Sequence, residues 1–182
     1  MLIEPYIVTP YSTNAVSSLA ACLRDEGYAT AFFHGAPNGR MGFQAYARSA
    51  GFEQYFGMDE YDGIDAFDGT WAIWDEEFLQ YYAQRMNQMP EPFMTAIFTA
   101  SSHHPFRVPE QYEGVFPQGD KPIHPCVGYT DHALRKFFAY AQQQAWDENT
   151  LFGITGEHTN RVSLPEYATA KGLFEVPIAF YS

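Results

Sequence analysis

The chain has 182 residues and a mass of 20.7 kDa, a length that suits one domain with a sizeable core and is short for two. It carries 22 Asp and Glu against 10 Lys and Arg, a formal charge of -12. That balance argues against a nucleic-acid binder and against adsorption to anionic lipid, because both need a basic patch. Hydrophobic residues make up 46% of the sequence, so the chain can bury a core and is not disordered.

The first half of the sequence predicts helices and strands in alternation. Ser12, Thr13 or Asn14 is expected to cap a helix that ends near Glu26, with Gly27 as its stop. An apolar run then predicts a buried strand that leads into His34. The remaining predicted elements of this half are a helix over 43–49, a helix over 71–89 and a second buried strand over 93–98.

The second half begins with a proline-rich stretch that is expected to be irregular. The predicted elements that follow are a helix over 131–146, a strand over 150–155 and a strand over 174–181. Pro177 inside the last strand suits a sheet edge. Because helices separate the strands, the pattern predicts an α/β fold with a mainly parallel sheet flanked by helices.

Histidine follows three of the predicted strands. His34 ends the first, His103 and His104 follow the second, and Glu157 and His158 follow the third. If these strands are parallel, the three loops open on one edge of the sheet, where open α/β sheets bind ligands. Imidazole and carboxylate groups converging there would form a divalent-metal or oxyanion site. Incidental histidines at the strand ends of an unrelated α/β protein remain an alternative.

Other polar and aromatic residues are assigned structural roles. His124 and His132 are expected to be structural, and the Trp71 and Trp74 pair is expected to pack in the core. The acidic residues of 59–68 do not have the spacing of a calcium loop and are interpreted as a solvated surface. The two cysteines form no metal or disulfide framework. Cys22 is expected to be a buried thiol, and whether it pairs with Cys126 is left open.

Several strings, taken together, resemble a known family. They are SLAACLRDEGY at 18–28, FFHGAPNG at 32–39, MGF at 41–43, AGF at 50–52, YFGMDEY at 55–61, SSHHPF at 101–106 and NTLF at 149–152. As an ordered set they resemble the lipoteichoic-acid-synthase-like, or phosphoglycerol transferase, branch of the sulfatase family. That family belongs to the alkaline phosphatase superfamily.

The resemblance implies a catalytic domain that cleaves or transfers a sulfate or phosphate ester on the outer face of a bacterial membrane. It implies a divalent metal, with Mn2+ favoured and Zn2+, Mg2+ or Ca2+ as alternatives. Glu157 and His158 occupy the place of two metal ligands, while His34 and His103 match histidines that contact the anionic oxygens of the substrate. The implied substrate is an ester of an envelope lipid or glycan, and the implied location is the periplasmic or extracellular face of the membrane.

The sequence departs from the family pattern at two places. The metal pair is Glu-His where the family has Asp-His, which puts the metal affinity in doubt. Met41 and Phe43 stand where the synthases have a Trp and an Arg that help to bind glycerol phosphate, so that substrate is not supported.

The family's nucleophile lies upstream of the helix that begins near Ser18, and neither Thr9 nor Thr13 follows a strand with an acidic partner. Residues 1–182 are therefore expected to form one partial catalytic domain without its nucleophile-bearing segment, incomplete at both ends and inactive alone. The parent protein is expected to reach the membrane through an N-terminal segment outside this sequence. Open sheet edges in such a fragment would favour self-association. A degenerate, non-catalytic binding or regulatory module of the envelope is the alternative.

Overall fold

A computed structural model describes residues 6, 9–12, 14, 16–160, 162 and 164–182. Its α-helices are α1 (Leu19–Asp25), α2 (Phe43–Ser49), α3 (Asp75–Met86) and α4 (His124–Ala141). Its strands are β1 (Ala29–Phe33), β2 (Gln54–Phe56), β3 (Phe93–Ile97), β4 (Phe152–Thr155) and β5 (Ile178–Tyr181). Short 3-10 helices, among them Arg40–Gly42 and Glu110–Tyr112, lie in the connections.

The described strands form two separate sheets. One is parallel with the order β2-β1-β3, and Phe33 of β1 pairs with Phe56 on one side and Ile97 on the other. The other is an antiparallel pair of β4 and β5. The predicted α/β class is confirmed, whereas β4 lies outside the parallel sheet, so the condition under which all three histidine-bearing loops would open on one edge is not met. Local apolar runs identify strands but do not specify which sheet a strand joins.

Several predicted helix boundaries differ from the structure. α1 begins at Leu19, and its cap is Ser18, whose Oγ accepts the N–H of Ala21 at 3.0 Å. Of the expected caps, Thr13 lies outside the described residues. α4 begins seven residues before the predicted start, since Pro125 in its first turn needs no hydrogen-bond partner for its nitrogen. Within the described ranges, β2 is a strand that the sequence pattern did not predict.

The core lies between the parallel sheet and the pair α3 and α4. Phe33 of β1 is fully buried and stacks on Phe56 with ring centroids 4.6 Å apart, while Tyr82 of α3 stacks on Phe137 of α4 at 5.5 Å. Other buried members of the core are Ala31, Ile73, Phe78, Leu79, Tyr81, Ala83, Met86, Ala133, Ala141 and Trp146. The high aromatic content of the sequence is thus used largely for packing, which is the most effective way to bury apolar area per residue.

The two cysteines differ in their environments. Cys126 is buried and Cys22 is exposed, so the expectation of a buried Cys22 is wrong; both thiols are free. Cys22 lies on the solvent side of α1, whose buried contact is made by Ala20.

Among the described helices, none has both the length and the apolar character needed to cross a bilayer.

Candidate functional site

His34 lies at the carboxyl end of β1 and is 5% exposed. Its backbone N–H donates to the carbonyl oxygen of Phe56 at 3.0 Å, and its Nδ1 donates to the carbonyl oxygen of Phe98 at 3.0 Å. Its ring contacts those of Phe43 and Phe98, with centroids 4.5 and 5.1 Å away. The residue that ends the central strand is therefore fixed by groups from both neighbouring strands and from α2.

The environment of His34 favours the neutral imidazole. Burial lowers its pKa, and the positive charge of Arg40 lowers it further against the opposing hydrogen bond to Phe98. Because the hydrogen on Nδ1 is engaged by the carbonyl of Phe98, the neutral ring presents Nε2 as a lone pair. Nε2 of His34 can thus accept a proton or a hydrogen bond, or coordinate a metal, without a change of ring orientation.

His103 lies in the loop that follows β3 and is exposed. Its backbone N–H donates to Ala100, and its Nδ1 donates to the carbonyl oxygen of His104 at 3.1 Å. Since β1 and β3 are parallel neighbours and Nδ1 of His34 bonds to Phe98, the His103 loop starts beside His34. The expectation that these two strand ends open on the same edge of the sheet is confirmed.

The buried carboxylate of Asp75 holds this loop in place. One of its oxygens, Oδ1, accepts the N–H groups of Ala100 and Ser101 at 3.0 and 3.1 Å, and Oδ2 accepts the hydroxyl of Thr130 at 2.9 Å. The N–H of Asp75 in turn donates to Oγ of Ser101 at 2.9 Å. Burial raises the pKa of Asp75, while these hydrogen bonds oppose the rise. The first turn of α3 is thereby tied to the loop that carries His103.

Arg40 and Trp71 also lie at this edge of the sheet, although no sequence pattern pointed to Arg40 and Trp71 was expected to pack in the core. Trp71 is only half buried, and the guanidinium carbon of Arg40 lies 4.7 Å from the centroid of its ring. The same ring lies 4.2 Å from that of His103, and its Nε1 donates to the carbonyl oxygen of His104. No spacing in the sequence points to this contact, because 30 residues separate Arg40 from the carbonyl of Thr70 to which it bonds.

Glu157 and His158 lie just beyond β4, in the region joined to the smaller sheet. Both side chains are 62% exposed and are paired with each other, with His158 Nε2 3.1 Å from Glu157 Oε2. Nδ1 of His158 donates to the carbonyl oxygen of Thr159 at 2.8 Å. A cavity of about 300 Å³ lies beside His158. Within the described ranges, no hydrogen bond, ion pair or ring contact connects this pair to His34 or His103.

The pair has the donor types of a divalent-metal site but not a full set. Glu157 offers Oε2 as a ligand atom, and His158 offers Nε2 because its Nδ1 hydrogen is donated to a carbonyl oxygen. Metal-binding histidines commonly donate their other ring N–H to a carbonyl in this way. Nowhere in the described part of the chain do three His, Cys, Asp or Glu side chains group so that they could hold a metal ion. Glu157 and His158 fit an ion as two of its ligands, and further ligands are needed.

The other histidines outside this edge make structural contacts. His132 Nε2 lies 3.1 Å from the hydroxyl of Tyr112, a contact that joins the proline-rich stretch to α4. The same nitrogen lies 3.4 Å from the carboxylate of Glu76 on α3. His124, at the start of α4, lies 3.5 Å from Asp120. These contacts are those expected of structural residues.

Comparison with known proteins gives a match to one family and to several solved structures. The Sulfatase family model matches residues 2–182. The lipoteichoic acid synthase-like YvgJ of Bacillus subtilis is 23% identical over 81% of this chain and 25% of its own length. Lipoteichoic acid synthase 2 of the same organism is 24% identical over 92% of this chain and 27% of its own length. The chain therefore spans about a quarter of the length of these curated relatives.

The solved structures share the fold at low sequence identity. A protein of the alkaline phosphatase superfamily from Vibrio parahaemolyticus has a TM-score of 0.80 and 24% identity, over 98% of this chain and 44% of that one. The lipoteichoic acid synthase LtaP of Listeria monocytogenes has a TM-score of 0.82 and 17% identity, over 98% and 49%. The C-terminal periplasmic domain of EcEptC from Escherichia coli, in complex with Zn, has a TM-score of 0.64 and 16% identity, over 91% and 52%.

Proposed function

Because the chain belongs to the sulfatase family, we propose that it forms part of the catalytic domain of a metal-dependent ester hydrolase or phosphoglycerol transferase. The ester is a sulfuric or phosphoric ester of a bacterial envelope lipid or glycan. The relatives with matching sequence are lipoteichoic acid synthases, and one relative with the same fold is a periplasmic domain. By this proposal the domain works on the outer side of the cell membrane.

The observation that carries the proposal is the shared position of His34 and the His103 loop. Both follow parallel neighbouring strands, and a hydrogen bond from His34 Nδ1 to Phe98 joins them. His34 is proposed to bind substrate through Nε2, which can accept a hydrogen bond from a hydroxyl of the substrate. His103, which is exposed on the loop at the same edge of the sheet, is proposed to contact the anionic oxygens of the ester.

Glu157 and His158 are proposed to supply two ligands of the metal ion. A divalent ion, when bound, neutralises charge on the ester oxygens and lowers the pKa of a bound nucleophile. Mn2+ is favoured by the family resemblance, and the zinc complex of a relative supports Zn2+ as the alternative. The longer side chain of Glu, compared with the Asp of the family pattern, is expected to weaken the affinity.

Calorimetric titration of the full chain with Mn2+ and with Zn2+ tests the metal ligands. We expect one weak site that is lost in the double variant Glu157→Gln, His158→Gln. The matched control is His124→Gln, because His124 also lies beside an exposed carboxylate, that of Asp120. Equal losses in the double variant and in the control, or no binding by the parent chain, would contradict the proposed ligands.

The same pair gives an argument for a second candidate, a non-catalytic module of this fold. Glu157 and His158 are exposed, and the hydroxyls of the flanking Thr155 and Thr159 donate to backbone carbonyl oxygens instead of facing the pair. We therefore expect the chain by itself to leave an aryl phosphodiester and an aryl sulfate intact when Mn2+ is supplied. Turnover of either ester by this chain, abolished by Glu157→Gln, would establish the enzyme and refute the module.

A further inference from the structure

A second cavity, of about 210 Å³, lies between α3 and the acidic loop that follows β2. The loop contributes Tyr61 and Asp62 to its wall, and α3 contributes Glu77, Gln80 and Tyr81. Its volume is below the range of about 300–1,000 Å³ that is usual for drug-sized ligands, so an occupant would be small. None of these residues is among those proposed to bind the ester or the metal ion.

Two buried polar atoms on the helix side of this cavity have no hydrogen-bond partner within the described part of the chain. They are Oε2 of Glu77 and Nε2 of Gln80. Buried polar atoms in native proteins are nearly always hydrogen-bonded, so two orphaned atoms on one cavity wall require an explanation. Residues three apart on a helix are neighbours on its surface, and these two present a charged acceptor next to a neutral donor.

The charge of the cavity is negative and is not neutralised by the protein. Neither Asp62 nor Glu77 takes part in any ion pair of the described ranges, and Lys136 is engaged by Glu76. Burial raises the pKa of Tyr61, and the charges of Glu77 and Asp62 raise it further, so both carboxylates act on this ring. A cation in the cavity would therefore be attracted by two carboxylates that no ion pair neutralises.

The donor set suits an organic cation better than a metal ion. In the part of the chain that the structure describes, no three His, Cys, Asp or Glu side chains group so that they could hold a metal ion. The N–H of Gln80 would also repel a metal, because it is a donor. An ammonium group brings its own N–H donors to Oε2 of Glu77, and the rings of Tyr61 and Tyr81 beside it favour a positive charge.

We propose that this cavity binds a small primary ammonium compound that carries a carbonyl oxygen close to its nitrogen, such as an α-amino amide. The ammonium group donates to Oε2 of Glu77, and the carbonyl oxygen accepts from Nε2 of Gln80. Both orphaned atoms are thereby satisfied by one molecule, and Asp62 adds a second negative charge at the exposed side. The inference goes beyond the proposed function, because it assigns a second ligand to a cavity that the ester and the metal do not use.

The test uses NMR spectra of the full chain with a chelator present and no metal added. Glycinamide is the probe, at a pH below the value of about 8 at which an α-amino group loses its proton. Ethylammonium has the charge without the carbonyl, and acetamide has the carbonyl without the charge. We expect saturable shifts of the Gln80 side-chain amide signals and the Tyr61 ring signals with glycinamide, and binding at least several-fold weaker for the other two compounds.

Three variants test the assigned contacts. Glu77→Gln should weaken glycinamide binding by about tenfold or more, because it removes a charge-assisted hydrogen bond. Gln80→Met, which keeps the length of the side chain without its donor, should lower the affinity for glycinamide to near that for ethylammonium. Glu148→Gln, at an exposed glutamate of the 3-10 helix Asp147–Asn149, is the matched control and should leave binding unchanged.

Three results would overturn the inference. They are the absence of saturable shifts in the parent chain, equal affinities for glycinamide and ethylammonium, and equal affinities of the Glu77 and Glu148 variants for glycinamide. Glu157 and His158 play no part in this metal-free experiment. It can therefore fail while the metal titration succeeds, and the reverse.

Discussion

At the scale of single residues, Asp75 connects the stability of the fold with the placement of His103. Its carboxylate is 2% exposed and accepts two backbone N–H groups of the loop after β3 as well as the hydroxyl of Thr130 on α4. The N–H of Ser101 is buried and that of Ala100 is half-buried, so leaving them without an acceptor is costly. These hydrogen bonds stabilise the buried carboxylate of Asp75. Removing the carboxylate would allow the loop after β3 to rearrange locally.

Replacing Asp75 by Ala should lower the free energy of unfolding by about 2–3 kcal/mol, since a buried and a half-buried N–H group lose their acceptor at about 1–3 kcal/mol for a fully buried group. Asp75→Asn keeps an oxygen that can accept from Ala100 and Ser101 and is expected to lose less. Urea unfolding of both variants measures the difference. A loss below about 1 kcal/mol for the Ala variant would show that the loop does not depend on this carboxylate.

His34 should make the stability of the protein depend on pH. Burial lowers its pKa in the folded state below the unfolded value of 6.5, so the unfolded chain takes up a proton at a pH where the folded chain does not. Stability from this residue is present above about pH 6.5 and falls as the pH drops below it, by at most about 1.4 kcal/mol per pH unit for one proton.

The measurement compares the free energy of unfolding at pH 7.5 and pH 5.5 in the parent chain and in His34→Gln, whose amide can still donate to Phe98. The parent should lose more stability than the variant over this interval. His124→Gln, at a half-buried histidine at the start of α4, is the control and should change the pH dependence less than His34→Gln does. Parallel pH profiles for the parent and His34→Gln would contradict the buried neutral state of His34.

At the scale of secondary-structure elements, α4 connects the two sheets. Phe137 is 3% exposed and stacks on Tyr82 of α3, and its ring also lies 6.1 Å from that of Phe152 on β4. Phe138 contacts Phe152 at 5.2 Å and Tyr181 of β5 at 5.5 Å. Helix α4 therefore packs directly on the smaller sheet and reaches the parallel sheet through Tyr82 of α3, whose ring lies 4.8 Å from that of Phe33.

Phe137→Ala should lower the free energy of unfolding by about 3–5 kcal/mol, because it removes a buried aromatic ring at the contact of three elements. Val127→Ala, on the exposed side of the same helix, is the matched control and should change stability by about 0.5 kcal/mol or less. Thermal or urea unfolding checks both values. A similar small change in both variants would mean that α4 does not carry this packing.

The elements that the sequence predicted well are those with a local signal. Helix α2 follows its predicted range of 43–49, and Gly51 ends it with a φ of +92° that disfavours other residues. Strand β2 was missed because its three residues are too few for an alternation to be recognised. The sheet membership of β4 was missed because the choice of pairing partner is a long-range property.

For the candidate site too, the residues with a local sequence signal were predicted and those placed by long-range contacts were not. His34 and His103 were found because strand ends are visible in the sequence and parallel strands end at one edge. Arg40 and Trp71 were missed, since the contact between them exists only after the loops around residues 40 and 70 have packed together. The sequence therefore predicted that His34 and His103 share one edge of the parallel sheet, but it did not predict all the side chains that pack there.

At the scale of the whole molecule, the chain combines a strongly negative formal charge with an arginine, Arg40, at one edge of its parallel sheet. The formal charge of -12 opposes the approach of an anionic ester, so attraction must come from local groups such as Arg40. The proposed metal ligands Glu157 and His158 follow β4 of the smaller sheet. The central claim is that they form one site with His34 and His103. Joining them requires Glu157 and His158 to face the same ester as His34 and His103.

Paramagnetic broadening by Mn2+ tests this claim most directly. Mn2+ bound by Glu157 and His158 should broaden the amide signals of residues 156–159 and, at the same metal concentration, the imidazole signals of His34 and His103. The Glu157→Gln, His158→Gln double variant should lose both effects, while His124→Gln should retain them. Broadening confined to residues 156–159, with the signals of His34 and His103 unchanged, would show that the metal pair and the histidines do not form one site.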